Sequence, residues 1–155
     1  MAAGDKIFAG TYGLITARPL VILRKSTITS VATGGAALTW DTEDIDTDDW
    51  HSTSVNTGRI TPSRACWIQF TATVHWASNA TGRRGAAIRK NGSSIYYGVI
   101  QPGSSAGNTS VTVVRTLQAN GTSDYFEVLA FQDSGGNLNT ADVTNTVFEA
   151  VYARD

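Results

Sequence analysis

One cysteine, Cys66, stands in 155 residues. A single thiol rules out an intrachain disulfide, and with it the stapled architecture of small secreted modules. Together with two histidines it cannot complete a structural zinc site without carboxylates. Charged residues make up 16% of the chain, below the usual quarter, and proline occurs three times. A net charge of −1 supplies no general electrostatic drive toward nucleic acid or an anionic membrane. No apolar run approaches the ~20 residues of a membrane-spanning helix. The opening "MAAGDKIFAGTYG" has no long apolar core and no cleavage pattern, so no signal peptide is expected.

Helical periodicity is missing too. Short runs of Thr, Val, Ile and aromatics recur between Gly, Asn, Ser and Asp, the spacing of an all-β domain. In "WIQFTATVHWA", Ile68, Phe70, Ala72, Val74 and Trp76 alternate with Gln69, Thr71, Thr73 and His75, which predicts one buried and one polar face. "GAAIRKNGSSIYYGVI" reads as two strands joined at Asn91-Gly92, a dipeptide that favours a hairpin turn. "VTVVRTLQANG", "DYFEVLAFQD" and "TNTVFEAVYAR" add further strands, and "RPLVILRKS" reads as the first, opened by Pro19. Tyr125, Phe126, Val128, Leu129 and Phe131 place apolar groups on both faces of one strand. Such a strand needs cover on its second face, and another subunit is the expected cover. The chain divides into a short arm, residues 1–17, and one β domain, residues 18–155, of eight to ten strands in a sandwich or jelly roll.

The densest chemical signal is "TWDTEDIDTDDWHS", with six carboxylates between two tryptophans. Asp44-x-Asp46-x-Asp48 opens like a calcium-binding EF-hand loop, but Asp49 takes the glycine position and Val55 that of the closing glutamate. A different calcium site, built from Asp41, Glu43, Asp44, Asp46 or Asp48, is the chemical alternative; no other cofactor is expected. The leading reading is a solvated turn whose Asp and Thr side chains bond nearby amides. "GSSAG" matches the nucleophile-elbow pattern around Ser105, yet the strand-to-helix context that the elbow needs is missing. Asp49, His51 and Ser52 are too close in sequence to converge as a triad on an extended chain. No acid, base and nucleophile converge, so the chain reads as non-enzymatic. Arg83, Arg84, Arg89 and Lys90 form a basic cluster, expected to pair with the acidic segment within or between subunits, or to lie solvated.

His51 to Gly92, with "NTGRIT" ahead of a long aromatic strand and a hairpin, resembles the globular C1q/tumour-necrosis-factor-like domain. The closing stretch from Asp124, with Phe148, Ala150 and Tyr152, is similar to that family's penultimate and last strands. The resemblance spans about residues 18–155. It implies a C1q/TNF-like jelly-roll sandwich assembled as a homotrimer, with the Tyr125–Phe131 strand as the expected inter-subunit face. The prefix "MAAGDKIFAGTYGLITARP" resembles the leaders of small virion proteins of tailed bacteriophages. That implies a viral structural protein: a trimeric knob anchored by Ile7, Phe8, Tyr12, Leu14 and Ile15, serving in capsid decoration as a head fibre, or in host attachment at a tail-fibre tip. Its expected partners are other virion proteins and a host-surface glycan or protein, with no nucleic acid and no membrane insertion. Its expected place is the virion surface, after assembly in the host bacterial cytoplasm. A free carbohydrate- or protein-binding C1q-like module is the alternative.

Overall fold

Side-chain alternation sets the longest strands. In the computed structural model, which describes residues 18–141 and 144–155, every second residue of β6 (Ala65–Trp76) is buried. Phe70 and Trp76 are fully inaccessible, as the alternation predicts. β6 runs antiparallel to β10 (Thr109–Asn120) along the whole length of both. β6 also pairs with β13 (Val147–Arg154), which pairs with β1 (Leu20–Arg24), which pairs with β4 (Thr42–Asp46). These give a five-stranded sheet in the order β10-β6-β13-β1-β4. The facing sheet runs β3 (Ala36–Ala37), β11 (Phe126–Gln132), β7 (Arg83–Lys90), β8 (Ser94–Tyr97), with β5 (Arg59–Ile60) on β11 and β9 (Gln101–Pro102) on β7. A small third sheet joins β2 (Ser30–Val31) to β12 (Leu138–Asn139).

The described residues thus hold thirteen strands, more than the eight to ten expected. Five of them are two residues long, too short to leave a periodic trace in sequence. No helix occurs among the described residues. The hairpin forms where expected: Asn91 and Gly92 take φ of 54° and 70°, and the Ser93 amide closes the turn on the Lys90 carbonyl. Between the two main sheets, Phe70 lies 4.3 Å from Phe126 and 5.9 Å from Phe148, which contacts Trp40 at 5.7 Å. This aromatic stack ties β6, β11 and β13 together at the centre of the sandwich.

β11 corrects one expectation. Phe126 and Val128 point into this core and are fully buried within the subunit, so neither can line a contact with a second copy. Its other face is covered by its own sheet neighbours. Leu129 sits between Ala37 and Ala87, Glu127 between Arg59 and Arg89, and Phe131 meets Tyr97 edge-on at 6.2 Å. A central strand gains this cover from long side chains on flanking strands, without a second subunit. The arm residues Ile7, Phe8, Tyr12, Leu14 and Ile15 lie outside the described residues.

Candidate functional site

The acidic segment is half strand and half turn. Thr42 to Asp46 is edge strand β4, where a turn was expected, because Ile45 and Asp46 register against Ile22 and Val21 of β1. The turn that follows is organised by Asp46. One of its oxygens accepts the Trp50 amide at 3.1 Å and the other the His51 amide at 2.8 Å. Asp41 accepts the Ser26 amide, Asp44 pairs with Arg24, and Asp48 accepts the Thr47 hydroxyl at 2.8 Å. Glu43 reaches the His51 ring, Nδ1 at 2.6 Å, while Nε2 faces the Thr57 carbonyl at 3.1 Å. The candidate ligands Asp41, Asp44, Asp46 and Asp48 are therefore each turned to a different partner. Among the described residues, no three His, Cys, Asp or Glu side chains are grouped to hold a metal ion. Ser52 takes the Val55 amide and makes no bond to His51, so these neighbours form no triad. Ser105 lies on the loop after β9, where its carbonyl and that of Ser104 accept the Ser78 hydroxyl. Cys66 is a buried free thiol whose pKa burial pushes up.

The basic cluster does not meet the acidic segment within the subunit. Arg83 pairs with Asp133 at 2.7 Å, Arg89 with Glu127 at 2.8 Å and Lys90 with Asp124 at 2.7 Å. Arg84 is fully buried, and its guanidinium donates to the carbonyls of Asn79, Thr81 and Arg83. Burial pushes its pKa down against the pull of Asp133. The cluster therefore fastens loops and strands of its own sheet instead of forming a basic patch. The partners were hidden in sequence because they lie between 34 and 50 residues away.

Two surfaces remain. The outer face of the five-stranded sheet carries Val114 at 47% exposure, Val151 at 43% and Ile45 at 38%. The register aligns them with Ile22 beside Ile45 and Leu20 beside Val151, with Thr71, Gln69 and the carboxylate of Glu149 between. On the facing sheet, an open cavity of about 340 Å³ is lined by Ala37, Thr39, Ser54, Asn56, Gly58 and Arg59 among others. Gly58 shapes its wall, since a Cβ there would lie 2.7 Å from the Leu38 carbonyl oxygen. Neither surface was singled out by sequence reasoning: the first draws on strands far apart in the chain, the second on a loop and two sheet edges.

No family model and no curated protein matches this sequence. Solved structures do. The globular domain of zebrafish complement 1qA is 13% identical, with 89% of this chain and 99% of that one covered and a TM-score of 0.65. Murine APRIL, crystallised at pH 5.0, is 13% identical over 88% of this chain and 99% of its own, with a TM-score of 0.64. Eiger TNF from S. frugiperda is 11% identical over 89% and 94%, with a TM-score of 0.59. The fold is the TNF/C1q-like jelly roll.

Proposed function

We propose that this chain is a non-enzymatic virion protein of a tailed bacteriophage. Three copies form a jelly-roll knob that the arm anchors to the particle, for decoration of the capsid or contact with the host from a tail tip. The outer face of the five-stranded sheet carries this reading. Val114, Val151 and Ile45 stand exposed there beside the half-buried Leu20 and Ile22. Exposed apolar groups gathered on one sheet face, even interrupted by Thr71, Glu149 and Gln69, mark a contact surface. A second copy can cover these apolar groups provided that Glu149, which stands between Thr71 and Ile22 on the same face, keeps a polar partner or water at the contact. The resemblance to the C1q/TNF-like domain implies that the assembly closes with three-fold symmetry, and the prefix supports the phage setting. On this reading the subunit contact lies on the five-stranded sheet and the facing sheet points outward.

Light scattering on the purified full chain at micromolar concentration should return three times the monomer mass. Val114→Glu with Val151→Glu should yield a folded monomer, because each places a carboxylate in the contact. A monomeric parent chain would remove the assembly. Labelled-antibody electron microscopy of purified particles then separates capsid from tail, and finding no label on particles would leave the free binding module.

A further inference from the structure

We propose that the cavity beside β5 binds an anionic sugar unit, through a carboxylate held by Arg59. Glu127 stands between two arginines, Arg59 on β5 and Arg89 on β7, at directly opposed positions on three adjacent strands. Arg89 donates to Glu127 Oε2 through Nε at 3.0 Å and a terminal nitrogen at 2.8 Å. Arg59 uses only its Nε, 3.3 Å from Glu127 Oε1. Its guanidinium carbon sits over the Tyr125 ring, 3.9 Å from the centroid. One carboxylate against two guanidiniums leaves the trio with an excess positive charge; Glu127 also lines the cavity, but Arg89 engages one of its oxygens in two bonds from outside it. Among the described residues, the two terminal nitrogens of Arg59 have no hydrogen-bond partner. The side chain is thus held in place from two sides while its outer edge stays free, the arrangement that accepts a planar oxyanion in a two-pronged bond.

The rest of the lining selects what carries that oxyanion. Thr39, Ser54, Asn56 and Thr57 contribute neutral hydroxyl and amide groups, and Ala37 and Gly58 keep the wall low. A volume of about 340 Å³ falls at the small end of ligand-binding cavities. Hydroxyl-rich surroundings, one free guanidinium edge and this size fit a carboxylate-bearing sugar better than a bare inorganic anion or a neutral hexose. The cavity lies on the sheet opposite the proposed subunit contact, so assembly leaves it open. The inference rests on reading the chain as a surface-recognition knob.

The test is an amide NMR titration of the full-length protein with glucuronate, glucose and inorganic phosphate in parallel. Glucuronate should move the amides of Asn56, Thr57 and Gly58 with a millimolar dissociation constant, and glucose should bind about tenfold more weakly or not at all. Arg59→Gln should abolish the shifts, and Arg59→Lys should restore only part of the affinity, since it keeps the charge without the fork. Should Arg59→Gln unfold, Asn56→Gly serves instead: glycine tolerates the φ of 53° at that position and removes only the side-chain amide. It should weaken glucuronate binding with the melting temperature little changed. Equal shifts with glucose, or with phosphate, would overturn the acidic-sugar assignment, as would silence with all three ligands. Failure here leaves the measured mass of the assembly untouched, and a monomer in light scattering leaves this titration untouched, so the two readings fail separately.

Discussion

At the scale of single residues, Asp124 shows how a loop is pinned and what acid would do to it. Its carboxylate accepts the Asn91 side chain at 2.7 Å, the Asn120 amide at 2.9 Å and the Lys90 ammonium at 2.7 Å. Burial pushes the Asp124 pKa up, but these bonds and the Lys90 charge outweigh it and hold it below the ordinary carboxylate value. A carboxylate depressed in the folded state adds stability above its unfolded pKa and loses it as pH falls through the folded value. The contribution of Asp124 should therefore be whole at neutral pH and fade only in acid below the usual carboxylate range. Asp124→Asn should cost about 1–3 kcal/mol at neutral pH, since Lys90 loses its partner. Thermal melts from pH 7 into acid should converge for the two proteins; parallel curves would mean that another carboxylate carries the dependence. The position of Asp124 ahead of the penultimate strand was readable from family resemblance. That Lys90 and Asn91 converge on it was not, because the hairpin tip and this loop meet only in three dimensions.

Elements were readable in proportion to their length. β6 declares itself through five alternating apolar residues, β10 through a β-branched run, and β13 through Val147, Phe148, Val151 and Tyr152. β11 was found as a strand but its second face was misassigned, since sequence does not reveal how much cover Arg59, Arg89 and Tyr97 provide from neighbouring strands. The acidic segment was read as a turn, and its first half proved to be an edge strand. A register shift that sets Ile45 opposite Ile22 but Glu43 opposite Leu23 breaks the alternation that would have declared a strand. Edge strands with charged side chains resist unwanted pairing with other chains, which suits the exposed position of β4. In the turn itself, Asp46 works as a cap for two buried backbone amides. Asp46→Asn should cost about 1–3 kcal/mol, because one amide would face the new NH₂ group. If the segment's role is this bonding, millimolar calcium and chelator should leave the melting midpoint unchanged. A site occupied at a hundred times its dissociation constant would add ~2.7 kcal/mol, a visible shift. A calcium-dependent rise abolished by Asp46→Asn with Asp48→Asn would replace the structural role with a metal site.

For the whole molecule, the all-β class and the jelly roll were legible because pattern, turn chemistry and resemblance agreed. The surfaces that would do the work were not, since each is assembled from segments distant in sequence. If the chain is the proposed trimeric knob, its arm is the segment expected to hold it. From Leu20 onward the domain closes on itself: β1 lies between β13 and β4, and the Pro19 carbonyl accepts the Tyr152 amide at 3.0 Å. In the sequence of residues 1–17, Ile7, Phe8, Tyr12, Leu14 and Ile15 recur with neither a helical nor a strict alternating period, together with Gly4, Gly10 and Gly13. An apolar set of that kind suits a partner's surface better than a helix of its own. Fixing a backbone costs ~1–2 kcal/mol per residue, so only a sizeable interface would hold the arm. Three arms on one trimer would bind together and raise avidity well beyond that of one contact. A chain shortened to begin at Ala17 should then fold, keep its melting temperature within a few degrees and remain trimeric in light scattering. Mixed with particles lacking the protein, it should fail to add back where the full chain succeeds. Normal incorporation of the shortened trimer would move the docking surface onto the jelly roll. Failure to fold would make the arm part of the domain core, and either result would end its assignment as the anchor.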